Sequence, residues 1–164
     1  MAEFTIVLIP EEKQFVPTQE AIEAAKSLME EYFPDRGNEV NSELSNTPRF
    51  ISSHDSFEEI SCPECGEEIN RFDLDEDDDG ETWWDRFEQK LDDAKDATTV
   101  KLKMPCCDAK VKVTDLDFGQ NAGFARFELS VRDPGDDTEV TDEQKSNLES
   151  TLGCKLMQIT RVNS

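Results

Sequence analysis

The chain has 164 residues, with 39 Asp and Glu against 17 Lys and Arg, a formal charge of −22 and 35% hydrophobic residues. That length suits one domain, or one domain with a small inserted module, and the apolar content is above what a wholly disordered chain would carry. The charge repels nucleic-acid phosphates and anionic membranes and favours encounter with a basic protein, although solubility alone would also account for it.

Phe4 to Ile9 is apolar and β-branched and predicts a buried strand ended by Pro10. Thr18 then caps a helix whose buried face is Ile22, Ala25, Leu28, Met29 and Tyr32, closed by Pro34, Gly37 and Asn38. The polar stretch from Asn38 to Pro48 predicts a loop, followed by short strands at Arg49–Ser53 and Phe57–Ser61. Thr82, with Asp85 three residues on, predicts the N-cap of a helix that carries Trp83, Phe87, Leu91 and Ala94 on one face, widened by Trp84.

Val100, Leu102 and Met104 alternate with lysines, as do Ala109, Val111 and Val113. That period of two predicts a hairpin over 100–113 with Cys106 and Cys107 at its tip. Gly123 to Arg132 predicts a strand with Ala125, Phe127, Leu129 and Val131 on one face. Pro134 and Gly135 form a turn, Thr141 with Gln144 a capping box, Leu148 and Leu152 a helix face ending at Gly153, and Lys155–Val162 a last strand. The predicted fold class is therefore α+β: a mixed sheet with helices packed on one face, in a single domain over 1–164, interrupted by a zinc-ribbon-like hairpin module over 57–113.

Five cysteines, odd in number and four of them clustered in pairs, argue against a disulfide framework. Cys62-Pro63-Glu64-Cys65-Gly66 has the form of a zinc knuckle, in which two thiolates come from one tight turn and Gly lets the backbone approach. Met104-Pro105-Cys106-Cys107-Asp108 lays over it with Met104 at the first ligand position and Asp108 in place of Gly. The expected ligands are Cys62, Cys65, Cys106 and Cys107 around one zinc, with three cysteines plus Asp108, His54 or water as the alternative. The module has few apolar residues, so metal would supply folding energy rather than catalysis. A redox Cys-x-x-Cys is the other reading of the first pair, and it would usually open a helix. Cys154 stands apart and reads as a small buried hydrophobe.

Asp75, Asp77, Asp79 and Gly80 match the opening of a calcium loop, but Arg86 falls where the bidentate carboxylate belongs. The run instead reads as a solvated acidic loop, or as a surface that mimics phosphates before a basic cleft. Asp75, Asp77, Asp78 and Asp79 are the candidate partner contacts, with Trp83 and Trp84 as aromatic anchors, one of the two expected in the core. Lys101, Lys103, Lys110 and Lys112 form a basic stripe, a weak nucleic-acid signal without interleaved aromatics. No phosphate-binding loop, nucleophile elbow or dinucleotide fingerprint is present, and His54 is the single histidine, so no enzymatic activity is expected. Met1-Ala2-Glu3 lacks a basic leader and no apolar run reaches membrane length, so the expected compartment is the reducing cytoplasm.

Gly123-Phe124-Ala125-Arg126-Phe127-Glu128-Leu129, then Leu152-Gly153-Cys154-Lys155-Leu156-Met157-Gln158-Ile159, together with Cys-Pro-x-Cys-Gly and Pro-Cys-Cys, resemble small acidic bacterial proteins without assigned activity. In size and charge these are similar to immunity partners of toxins delivered between cells. The resemblance implies an inhibitor that occludes a basic toxin by electrostatic and aromatic contacts. The alternative is a zinc-ribbon adaptor acting on transcription, translation or nucleic-acid machinery.

Overall fold

A computed structural model describes residues 3–135 and 139–163, with the side chains of 36–38 and 163 left aside. The leader reading of Met1 and Ala2 lies outside the described residues. In chain order the elements are β1 (Glu3–Pro10), α1 (Gln19–Tyr32), β2 (Val40–Ser52), β3 (Glu59–Ser61), β4 (Glu68–Asn70), α2 (Trp83–Asp93), β5 (Lys101–Lys103), β6 (Lys110–Lys112), β7 (Ala122–Arg132), α3 (Asp142–Leu152) and β8 (Leu156–Asn163).

The main sheet has the order β2-β7-β1-β8, with each neighbour antiparallel. β1-α1-β2 and β7-α3-β8 are thus two split units, each leaving a gap that a strand of the other fills; this is the β-α-β-β-α-β topology. Both helices start on side-chain caps: Thr18 Oγ1 accepts from the N–H of Ala21, and Thr141 with Gln144 forms a complete capping box. α3 stops at Gly153, whose φ of 83° is the left-handed conformation that a C-terminal cap requires. Ile22, Ala25 and Met29 of α1 and Leu148 and Leu152 of α3 pack on Ile6, Leu8, Phe127, Leu129 and Val131, so the α+β class with helices on one face holds.

The stretch expected to be a loop from Asn38 to Pro48 is different. A 3-10 helix covers Pro34–Glu39 and β2 then runs from Val40 to Ser52. β2 is an edge strand with mostly polar, partly exposed residues, so it carries no apolar alternation by which to recognise it. Its pairing with β7 shifts register between Leu44 and Arg49, where the Ser45 hydroxyl bonds the Thr47 carbonyl. Such an irregularity bends and coils a strand pair.

Beyond that point the β2–β7 ribbon turns over the helix-free face of the sheet. Ile51 and Ala125 join Val7, Ile9 and Ile159 in a separate buried cluster, which is why Ala125 leaves the face shared by Phe127, Leu129 and Val131. The chain after β2 reaches the opposite edge. Val162 N–H donates to Ser53 O, Asp55 N–H donates to Val162 O, and His54 pairs with Val162 in the one parallel bridge among the described residues. His54 takes a φ of 56° to make this turn.

Residues between β2 and β7 form their own cluster around Phe57, Ile60, Trp84, Phe87, Leu102, Met104, Val111 and Phe118. Phe50 of β2 joins the two parts, its ring 5.3 to 5.7 Å from the rings of Phe57, Phe87, Phe118 and Phe124. No helix of the described residues is long and apolar enough to cross a membrane.

Candidate metal centre

Two short hairpins, β3–β4 and β5–β6, aim their tips at one point. In the first tip Cys62 N–H donates to Glu67 O and Gly66 N–H donates to Cys62 O. In the second, Met104 N–H donates to Ala109 O and Asp108 N–H donates to Met104 O. The two turns therefore share one hydrogen-bond frame, with Met104 over Cys62 and Cys107 over Cys65. Gly66 (φ 76°) and Asp108 (φ 61°) both hold the left-handed position. Gly takes it without strain, and Asp is among the few other residues that tolerate it.

Met104 is wholly buried in the module's core, so the first ligand position of the second turn is given to packing. Cys106 takes its place, one residue before Cys107. The Sγ atoms of Cys62, Cys65, Cys106 and Cys107 all lie within 4.8 Å of one another, with Cys65–Cys106 at 3.3 Å and Cys62–Cys107 at 3.8 Å. A tetrahedral zinc with Zn–S bonds of about 2.3 Å has S–S edges of about 3.8 Å. The donor set thus fits a metal ion bound by four thiolates. His54 and Asp108 are not in this cluster; Asp108 instead lies 3.9 Å from Lys103 Nζ.

Four thiols this close ionise unequally. Burial pushes the Cys62 thiol up, but N–H groups of Cys65 and Glu64 bond its sulfur and the balance lowers it to about 7. Cys106 is raised, first by burial and then by hydrogen bonds with the neighbouring sulfurs. At Cys107 the N–H of Ala109 lowers the value, and burial with the Cys62 and Cys65 sulfurs overrides it upwards. Bringing further negative charge onto these sulfurs calls for a cation among them.

The other expected residues separate. Asp75, Asp77, Asp78 and Asp79 are exposed on a loop. Asp77 Oδ1 accepts from the N–H groups of Asp79 and Glu81, and Arg86 reaches back to Asp77 at 2.9 Å, Asp79 at 3.2 Å and Glu81 at 3.0 Å. The Arg86 guanidinium holds the Asp77 carboxyl below its usual range, and the chain's own cation sits where the calcium reading would place an ion. Asp75 and Asp78 stay outside that clamp.

Trp84 is a correction as a partner contact. It is 1% exposed, its ring packed against Phe57 and Phe87, because position 84 rather than 83 points into the cluster. Trp83 is half-buried, stacked on Phe87 at 5° with its Nε1–H donated to Lys103 O. Cys154 is half-buried against the core, and burial and the Glu149 charge push its thiol up to about 11. Phe72, missed in the sequence because it belongs to no periodic element, is 70% exposed, the most exposed of the large hydrophobic residues described. Comparison of the chain with protein-family models, curated proteins and solved structures returns no match.

Proposed function

We propose that the chain is an acidic binding protein of the immunity type, in which one zinc ion holds the inserted module and the module's acidic loop covers the basic site of a cognate toxin. The observation that carries this reading is Phe72, an exposed ring at the foot of the 73–79 loop. Arg71 braces it from beneath, its guanidinium carbon 5.5 Å from the Phe72 ring and 5.6 Å from the buried Trp84 ring. An aromatic anchor fixed to the core loses little freedom on binding, and surrounding carboxylates steer a cationic partner to it. Asp75 and Asp78 are the acidic contacts left outside the Arg86 clamp; Trp83 has a partly open edge, and Trp84 acts by supporting Arg71.

Zinc suits four thiolates in a tetrahedron, and four protein ligands leave it no open position for substrate, which supports a structural role. Free thiols in this arrangement fit a reducing compartment such as the cytoplasm. The test is affinity capture of the tagged, metal-loaded chain from its native cell at low and moderate salt, with the parent compared to Phe72→Ser and to Asp75→Asn/Asp78→Asn. A basic protein held near one to one by the parent and lost from both variants supports the reading. Equal capture by all three removes the surface, and recovery of polymerase or ribosomal proteins favours the adaptor.

A further inference from the structure

We infer that the outer face of the β5–β6 hairpin is a docking surface for single-stranded nucleic acid, separate from the acidic loop. The register pairs Lys101 with Lys112 and Lys103 with Lys110, so four lysines stand as two directly opposed pairs on one exposed face. Like charges opposite one another in a ladder destabilise it, and a chain with 39 acidic residues has ample means to neutralise them. It does not. The one ion pair is the 3.9 Å contact of Lys103 with exposed Asp108, and Lys101, Lys110 and Lys112 have no ion pair among the described residues.

The grid has the dimensions of a phosphodiester track. Lysines two residues apart on a strand are about 6.7 Å apart, and the strands are about 4.8 Å apart. At one side Trp83 adds an aromatic ring. Its indole, stacked on Phe87 on one face and tied to the hairpin through Lys103 O, walls a groove of about 360 Å³ in which Lys90, Lys103 and Arg86 stand with one carboxylate, Asp108. Ammonium groups beside a fixed aromatic ring are the elements that bind a single strand: backbone charge on the lysines, a base against the ring. An acidic peptide would use the lysines and leave the ring without a partner. The net charge opposes approach from a distance, but at about 0.15 M salt it is screened beyond about 8 Å, so contact is governed by the local lysines.

The experiment is fluorescence anisotropy of the metal-loaded chain with labelled oligouridylate, and with labelled polyglutamate of the same length, at about 0.15 M salt. Parent is compared with Lys101→Gln/Lys112→Gln and Lys103→Gln/Lys110→Gln, each checked for metal content and melting temperature. Removing like-charge pairs should leave melting unchanged or higher, so lost binding is not lost folding. The expected result is binding of oligouridylate alone, weakened about tenfold in each variant, with a parent log–log salt slope near −3 from four lysines at about −0.7 each. No binding by the parent, or binding by both variants as tight as the parent's, overturns the inference. Binding of polyglutamate instead also overturns it and assigns the face to an acidic protein segment. None of these outcomes touches the basic-partner reading, whose test rests on Phe72, Asp75 and Asp78.

Discussion

Met104 stands in the second cysteine turn where Cys62 stands in the first. Each donates its N–H to the carbonyl five residues on, and each carbonyl accepts from the N–H four residues on. The frame is repeated while the side chain is not: Cys62 offers a sulfur to the centre, and Met104 fills the hydrophobic cluster beneath it. The missing sulfur comes from Cys106. The module therefore keeps four thiols from two turns while using one ligand position for its core.

Trp84 and Phe72 should separate folding from binding. Trp84→Ala removes a fully buried ring and is expected to cost about 3–5 kcal/mol, read as a fall in the urea midpoint. Phe72→Ser removes an exposed ring and should stay within about 0.5 kcal/mol of the parent. A large loss for Phe72→Ser would mean the ring serves the fold rather than a partner.

Gly123 tests the turn of the β2–β7 ribbon over the sheet. A Cβ at this position would lie 2.9 Å from Ile9 Cδ1 and 3.6 Å from Met157 Sδ, so the end of the Ile9 side chain must shift within its buried cluster. Gly123→Ala should destabilise by about 1–3 kcal/mol, the usual cost of overpacking. An unchanged denaturation midpoint would show that the ribbon does not press on Ile9.

Glu128 gives the fold a pH dependence. Burial raises its carboxyl above the usual value, against the lowering influence of Arg161 and Arg49. A raised acid means the native state holds its proton more firmly than the unfolded chain does. The stabilisation that results is fully present below the unfolded value of about 4.3 and is lost as pH rises through the folded value. Glu128→Gln keeps the neutral form at every pH, so it should be more stable than the parent at neutral pH and equal to it in acid. Matched urea titrations check this; a variant less stable at neutral pH would show that the Arg49 and Arg161 contacts outweigh burial.

The elements with strict periodicity were legible in sequence. β1, α1, β5–β6, β7 and α3 each carry an apolar alternation or a capping signal strong enough to set the class. Of β2 only the end was, as the short strand expected at Arg49–Ser53; its first part, up to Pro48, is an edge that buries few side chains and leaves no pattern in a polar sequence. Nor was the ribbon's turn over the sheet, which depends on a register shift opposite Ala125 and on His54 meeting Val162 over a hundred residues away. At the site, spacing alone gave the four cysteines and the overlay of Met104 on Cys62, while the hydrogen-bond frame shared by the two turns and the burial of Met104 came only with the structure. Which of two adjacent tryptophans faced inward was set by the helix phase, fixed by the Thr82 cap.

The four thiols of the two matched turns are placed to hold one metal ion between them. The most direct test is zinc content and melting temperature of the purified chain, compared with Cys106→Ser and with Cys106→Ser combined with Met104→Cys. About one zinc is expected in the parent, loss of zinc and a lowered melting temperature in Cys106→Ser, and recovered zinc in the double variant, where the second turn regains a thiol at the position matching Cys62. Full zinc content and unchanged melting in Cys106→Ser would contradict it.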